Sequence, residues 1–194
     1  GRQNVLCAMV NTTGLKCHEN RRGDEVVMIT IYLAGAIRDG RLDDIEWREK
    51  VISSLNGLAT FLNPLGGKHF DSIKSSWTAA GRRVTSQFDV KHDLEFIKRS
   101  NVVLVNLLAL SERYPNIGTL IELGAAASQG KLIYLILDKK YAGHENAMFT
   151  LHPFLQEIAA DIFESVDESI EFLKRYLPVI NSSNPRYGTF YAGC

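Results

Sequence analysis

From residue 28 onward, apolar runs of strand length alternate with segments whose apolar residues recur at helical spacing. Met28-Ile29-Thr30-Ile31-Tyr32-Leu33-Ala34-Gly35 predicts a first buried strand, and Trp47, Val51 and Leu55, at i, i+4 and i+8, predict a helix after it. Ala59 to Leu62 predicts a short second strand, ended by Asn63-Pro64 and the Gly66-Gly67 turn. A helix is expected over about 84–99 with Phe88, Leu94 and Ile97 inward, feeding a strand that opens at Val102. A further helix carries Glu122, a strand follows over Leu132 to Leu137, and 144–160 reads as a broken helical connection around Pro153. Ile162-Phe163 predicts a short last strand, and the helix after it turns Ile170, Leu173 and Leu177 inward. Such alternation is the pattern of a doubly wound α/β domain, one parallel five-stranded sheet covered on both faces.

Three segments fall outside this rhythm. Residues 1–27 are polar, without periodicity, and read as a flexible extension to a catalytic domain over 28–194. Residues 65–82 contain glycine and serine and little periodicity, so a long loop over the site is expected, as long loops in compact domains are commonly functional. The tail from Pro178 is rich in Asn, Ser and Pro but keeps Tyr187, Phe190 and Tyr191, and aromatics predict packing rather than disorder.

At 194 residues the chain suits one domain with a full core. Lys+Arg and Asp+Glu both number 22, which provides no basic field to hold nucleic acid by its phosphates. The apolar runs are too short to span a bilayer, and no charged region followed by an apolar core predicts secretion, so a cytoplasmic protein is expected. Cys7, Cys17 and Cys194 form neither a CxxC pair nor an even set, and no ligand cluster predicts a metal or other cofactor.

Chemistry is concentrated in a few carboxylates. Glu122 follows the Val102 strand near the start of a helix, at the end of an open sheet where ligands bind. The positive helix terminus would favour an ionised, nucleophilic carboxylate. The alternative is a capping box, since Thr119 and Glu122 have its spacing. Asp89 and Asp93 share a helix face, either solvated or with one acid turned toward Glu122, where a neighbouring carboxylate would raise its pKa and suit it to general acid work. Tyr32 would reach Glu122 if their elements adjoin. The loop Gly35-Ala36-Ile37-Arg38-Asp39-Gly40-Arg41 is neither GxGxxG nor a P-loop, and its arginines are either solvated or anion-binding. His69, His92 and His152 have no nucleophile signature beside them and predict structural or surface roles.

Taken in order, Ile31-Tyr32-Leu33-Ala34-Gly35, Asp93-Leu94-xx-Ile97, Gly118-xxx-Glu122-Leu123-Gly124, Asn146-Ala147-Met148 and Asn184-Pro185-Arg186-Tyr187 resemble the nucleoside 2-deoxyribosyltransferase family. The resemblance runs from residue 28 to the C-terminus. It implies a flavodoxin-like fold and exchange of nucleobases on 2-deoxyribose, with nucleosides and free bases as partners and no cofactor. By the same resemblance Glu122 is the nucleophile, Tyr32 positions it, and Asp93 contacts the base. Gly35, Arg38, Asp89, Asn116, Gly118 and Met148 fall among the substrate-binding positions, Asn146 serves a neighbouring subunit's sugar in a homo-oligomer with shared sites, and Tyr191 closes the site. Two positions depart from the family. Asn116 stands where Asp is common, and an amide can hydrogen-bond a sugar hydroxyl but cannot carry charge. The Ile37–Arg41 loop is closer to related deoxynucleoside 5′-monophosphate glycosidases, which makes hydrolysis the alternative to transfer.

Overall fold

The computed structural model describes residues 28–38, 41–66, 68–71, 76–79, 82–83, 86–109, 116–138 and 153–183. The extension 1–27 and the positions Asn146, Met148, Tyr187 and Tyr191 lie outside these residues. The main sheet is built from β1 (Thr30–Gly35), β2 (Thr60–Leu62), β6 (Val102–Asn106), β7 (Leu132–Ile136) and β8 (Asp161–Phe163). Its order is β2-β1-β6-β7-β8, and every pairing is parallel. This is the five-stranded doubly wound sheet that the alternation predicts. All five residues of β6, Val-Val-Leu-Val-Asn, are buried, as a strand covered on both faces requires.

Side-chain alternation along the strands sorts two cores. On one face Ile31, Leu33, Leu104 and Ile136 pack with α1 (Asp43–Ser54) and α5 (Val166–Ser183), through Trp47, Val51, Ile170, Leu173 and Leu177. On the other, Tyr32, Ala34, Val103, Val105 and Leu135 pack with Ile97 of α2 (Ser86–Arg99), Leu123 and Ala126 of α3 (Ile117–Ser128) and Leu155 of α4 (Pro153–Ile158). The helix after β1 covers the first face and the helix after β6 the second. The chain therefore reverses its winding between these two adjacent strands, the position at which open α/β sheets form their ligand crevice.

Three expectations are corrected. The segment 65–82 is not a plain loop: β3 (Lys68–Asp71), β4 (Ser76–Ala79) and β5 (Arg82–Arg83) form a separate antiparallel sheet in the order β3-β4-β5. Strands this short leave too few alternations to register as a pattern. Leu94 is 37% exposed rather than inward, because α2 turns Ile97 and the partly buried Phe96 to the core. The last helix does not stop before Pro178 but carries it inside, extending to Ser183. Tertiary contacts hold that final turn: Ile180 is buried, and Asn181 donates from Nδ2 to the Leu58 carbonyl at 2.8 Å and accepts from the Ile29 amide at 3.4 Å.

Candidate active site

Tyr32 points from the middle of β1 toward the α2–α3 face and is wholly buried. A buried phenol needs a partner. It finds one in Glu122, donating from its hydroxyl to Oε1 at 3.0 Å. The two residues are joined across 90 positions of sequence, and the predicted pairing is present. Glu122 as a residue is half-buried, but its carboxylate lies inside. Its second oxygen, Oε2, is enclosed without a hydrogen-bond partner among the described residues.

The start of α3 corrects both readings of Glu122's local role. Asn116 is the N-cap, in the left-handed conformation at φ 45 and ψ 45, and the first turn holds no acid. Thr119 is inside the helix and buried, so no capping box joins it to Glu122. Glu122 belongs to the second turn, beyond the reach of most of the terminal dipole. Its proton affinity is accordingly set by the interior: burial, then the charge of Asp93, push Glu122 up to about 7, against the opposing pull of the Tyr32 hydrogen bond, Arg48 and Lys68. The same burial, together with the negative charges of Glu122 and Asp93, raises Tyr32 and keeps its hydroxyl a donor.

Asp93 is the inward acid of the α2 pair, its side chain 14% exposed against 39% for Asp89. Burial raises its pKa, while a contact with His92 Nδ1 at 3.1 Å and the charge of Lys68 act in the opposite sense. His92 also lies against Phe96, at 4.0 Å between ring centroids. Asp89 is occupied by Lys68 Nζ at 2.7 Å, an ion pair that ties β3 of the small sheet to α2. Lys68 is 5% exposed in its side chain, a cation placed among three carboxylates.

The residues expected to meet the substrate's other end are distributed differently. Gly35 has a packing reason to be glycine: a Cβ there would stand 3.0 Å from Trp47 Cζ2 and 3.2 Å from the Asn106 carbonyl. Gly118 faces open space. Asn116 keeps Nδ2 buried and without a partner among the described residues, as Glu122 keeps Oε2, so an unmet donor and an unmet acceptor belong to the N-terminal half of α3. Arg38 is already engaged: its side chain donates to both oxygens of Asp44, at 3.0 and 2.7 Å, and to Asp43 at 3.2 Å. Arg41 likewise meets Asp43 at 3.2 Å. A cleft of about 590 Å³ opens on the α1 side of the winding reversal, between Ala36, Arg38, Trp47, Asn106 and Leu108. Among the described residues no group of three or more His, Cys, Asp or Glu could hold a metal ion, and no helix is long and apolar enough to cross a membrane.

The sequence reading missed Lys68 and Arg48. Lys68 follows a glycine turn and carries no local signal. Arg48 does carry one, because it interrupts the apolar face of α1 between Trp47 and Val51 yet is fully buried.

The fold is that of several solved structures. A conserved protein from Enterococcus faecalis V583 superposes with a TM-score of 0.57 at 14% identity, over 77% of this chain and 99% of its own. A 2-desoxiribosyltransferase from Leishmania mexicana gives 0.54 at 19% identity, over 76% of this chain and 99% of its own. A 2-deoxyribosyltransferase from Bacillus psychrosaccharolyticus gives 0.51 at 22% identity, over 76% and 95%. Comparison by sequence with curated proteins gives no match. The family model of nucleoside 2-deoxyribosyltransferase matches residues 31–154, a span that runs from β1 through Tyr32, Asp93 and Glu122 into α4, and the chain belongs to that family.

Proposed function

We propose that the protein transfers 2-deoxyribose between nucleobases, with Glu122 as the nucleophile. One observation carries the reading: Tyr32 fixes Oε1 of a buried carboxylate by a 3.0 Å hydrogen bond and leaves Oε2 enclosed, with no partner among the described residues. A carboxylate held by one oxygen and idle at the other is arranged to attack. In the retaining manner Oε2 bonds to the anomeric carbon as the bond from that carbon to the base nitrogen breaks. The electron pair leaves with the base, and Asp93 supplies the proton, directly or through a water. The nitrogen of a second base then attacks the same carbon, Glu122 departs as carboxylate, and Asp93 recovers a proton from the incoming base.

The electrostatics couple the two carboxyls. Both carboxyls are raised by burial, and the charge of Asp93 raises Glu122 further. The pair therefore favours one shared proton; the charge of Asp93 that raises Glu122 leaves that proton on Glu122 at rest, and the attack requires its transfer to Asp93. Transfer rather than hydrolysis requires that water be kept from the glycosyl-enzyme intermediate. Burial around Tyr32 and Glu122 favours that outcome, and the carboxylates already engaging Arg38 weaken the case for a 5′-phosphate there. Asn116, with its idle amide, suits a sugar hydroxyl, and Asn146, Met148 and Tyr191 complete the substrate pocket, with Asn146 supplied by a neighbouring subunit of a homo-oligomer.

The test is chromatography of 2′-deoxyinosine incubated with and without cytosine, for the intact protein and Glu122→Ala. Deoxycytidine is expected only with cytosine and only from the intact protein, with a loss of at least about 10³-fold in the variant. Hypoxanthine released equally fast without cytosine would make the protein a hydrolase. Turnover unaffected by Glu122→Ala would remove the nucleophile.

A further inference from the structure

Arg48 lies on the face of α1 that also buries Trp47 and Val51, with no measurable exposure. A buried guanidinium must use its donors inside the protein, because an unsatisfied buried charge is among the most destabilising features a fold can hold. Arg48 uses them on main-chain carbonyls. Nε donates to Leu33 at 3.3 Å and one terminal nitrogen to Gly35 at 2.8 Å. The other terminal nitrogen donates to Ala36 at 3.3 Å and also to the Asp44 carbonyl.

The sheet register explains why these carbonyls are available. β2 accompanies β1 only over Thr30–Tyr32, whereas β6 follows it as far as Gly35. Leu33 and Gly35, two residues apart, present their carbonyls to the same edge, the one β2 has left. The planar fork of the guanidinium stands in for the missing strand, immediately beyond Tyr32. An ammonium could not span the same carbonyls.

Arg48 also brings charge. Asp44 offers it only a main-chain carbonyl, because the Asp44 carboxylate is taken by the amide and side chain of Arg38. Of the carboxylates acting on Arg48, Glu122 comes first, ahead of Asp44 and Asp93.

We infer that Arg48 is a positioning residue for the Tyr32–Glu122 pair, holding the end of β1 and the start of the next loop in place and giving the site a fixed, buried positive charge. The inference rests on the reading of Glu122 as the nucleophile. Among the described residues, the other groups acting on Glu122 are Tyr32 of β1, Asp93 of α2 and Lys68 of β3, with His92 and Asp89 acting through Asp93 and Lys68.

The experiment is a carboxyl ¹³C NMR titration of Glu122, assigned by its absence in Glu122→Gln, beside pH profiles of kcat and KM. Intact protein, Arg48→Met and Arg48→Lys are compared. Arg48→Met is expected to raise the Glu122 midpoint, so that kcat/KM at pH 6, relative to its plateau, falls roughly threefold below the intact ratio. Arg48→Lys keeps the charge but loses the fork. Its midpoint should stay in place while kcat falls on the order of tenfold or more and KM holds. An unmoved midpoint in Arg48→Met overturns the inference, as does a raised midpoint or an intact kcat in Arg48→Lys. The lysine variant decides the matter if the methionine variant does not fold. A residue of merely structural value would lower the melting temperature and leave both the midpoint and kcat of the folded protein alone. The titration reads Arg48 without turnover, so an inactive intact protein would sink the transferase reading and not this one.

Discussion

At the scale of single residues, burial is the first influence on the proton affinities of Tyr32, Asp93 and Glu122 in the candidate site. The raised pKa of Glu122, about 7 against an ordinary 4.5, is also a statement about stability. Below the ordinary value both folded and unfolded chains hold the proton, and the residue is neutral to folding. As pH rises toward 7 the unfolded chain gives up its proton while the folded chain still holds it, and the fold loses stability, by about 3 kcal/mol once above that range. Glu122→Gln keeps an acceptor for Tyr32 and removes the ionisation. It should match the intact protein in urea denaturation at pH 4 and exceed it by about 1–3 kcal/mol at pH 8, while abolishing turnover. Equal stability at pH 8 would contradict the raised pKa.

Among the elements, α5 presents the clearest conflict between local preference and tertiary demand. Pro178 lacks the amide that a helix interior uses, yet the helix continues because Ile180 is buried and Asn181 joins Leu58 to Ile29. Pro178 itself is exposed. Pro178→Ala therefore restores a donor without disturbing the core, and should raise the urea midpoint by the equivalent of roughly 1–3 kcal/mol with an unchanged slope. A lower midpoint would mean that the proline ring is itself part of the packing. β1 shows the converse, a local preference made to serve the whole. Its end is bounded by Trp47 and Asn106 so closely that a Cβ at 35 would force a neighbour to shift, and the Gly35 carbonyl there accepts from Arg48.

For the whole molecule, the site is assembled from both sides of the main sheet and from the small one. Arg48 comes from α1, Tyr32 from β1, Asp93 from α2, Glu122 from α3 and Lys68 from β3. The outer faces of α2 and α3 carry exposed apolar residues, set on α2 among charged ones. Val90, Ile117 and Ile121 are 56%, 64% and 59% exposed. An apolar patch of this kind is characteristic of an interface. If subunits share sites, Ile121→Glu should convert an oligomer to monomer in light scattering and lower turnover at dilute concentration. A variant that stays oligomeric would place the interface elsewhere.

Much of this was legible in the sequence, because period is a local property. The strands and helices followed from alternating runs, whereas the pairing of Tyr32 with Glu122 followed from position only on the condition that their elements adjoin, and otherwise from the resemblance. The assignment of Asp93 as the inward acid followed from the resemblance alone. What the sequence could not determine depends on neighbours brought from afar. The exposure of Leu94, the small sheet built from strands of two to four residues, and the continuation of α5 through Pro178 each answer to contacts outside their own segment. The charge state of Glu122 is the sharpest case. Its position near a helix start predicts an ionised carboxylate, and burial together with Asp93 overrules that prediction. Desolvation and Coulomb interaction are sums over everything nearby, and only the tertiary structure supplies the list.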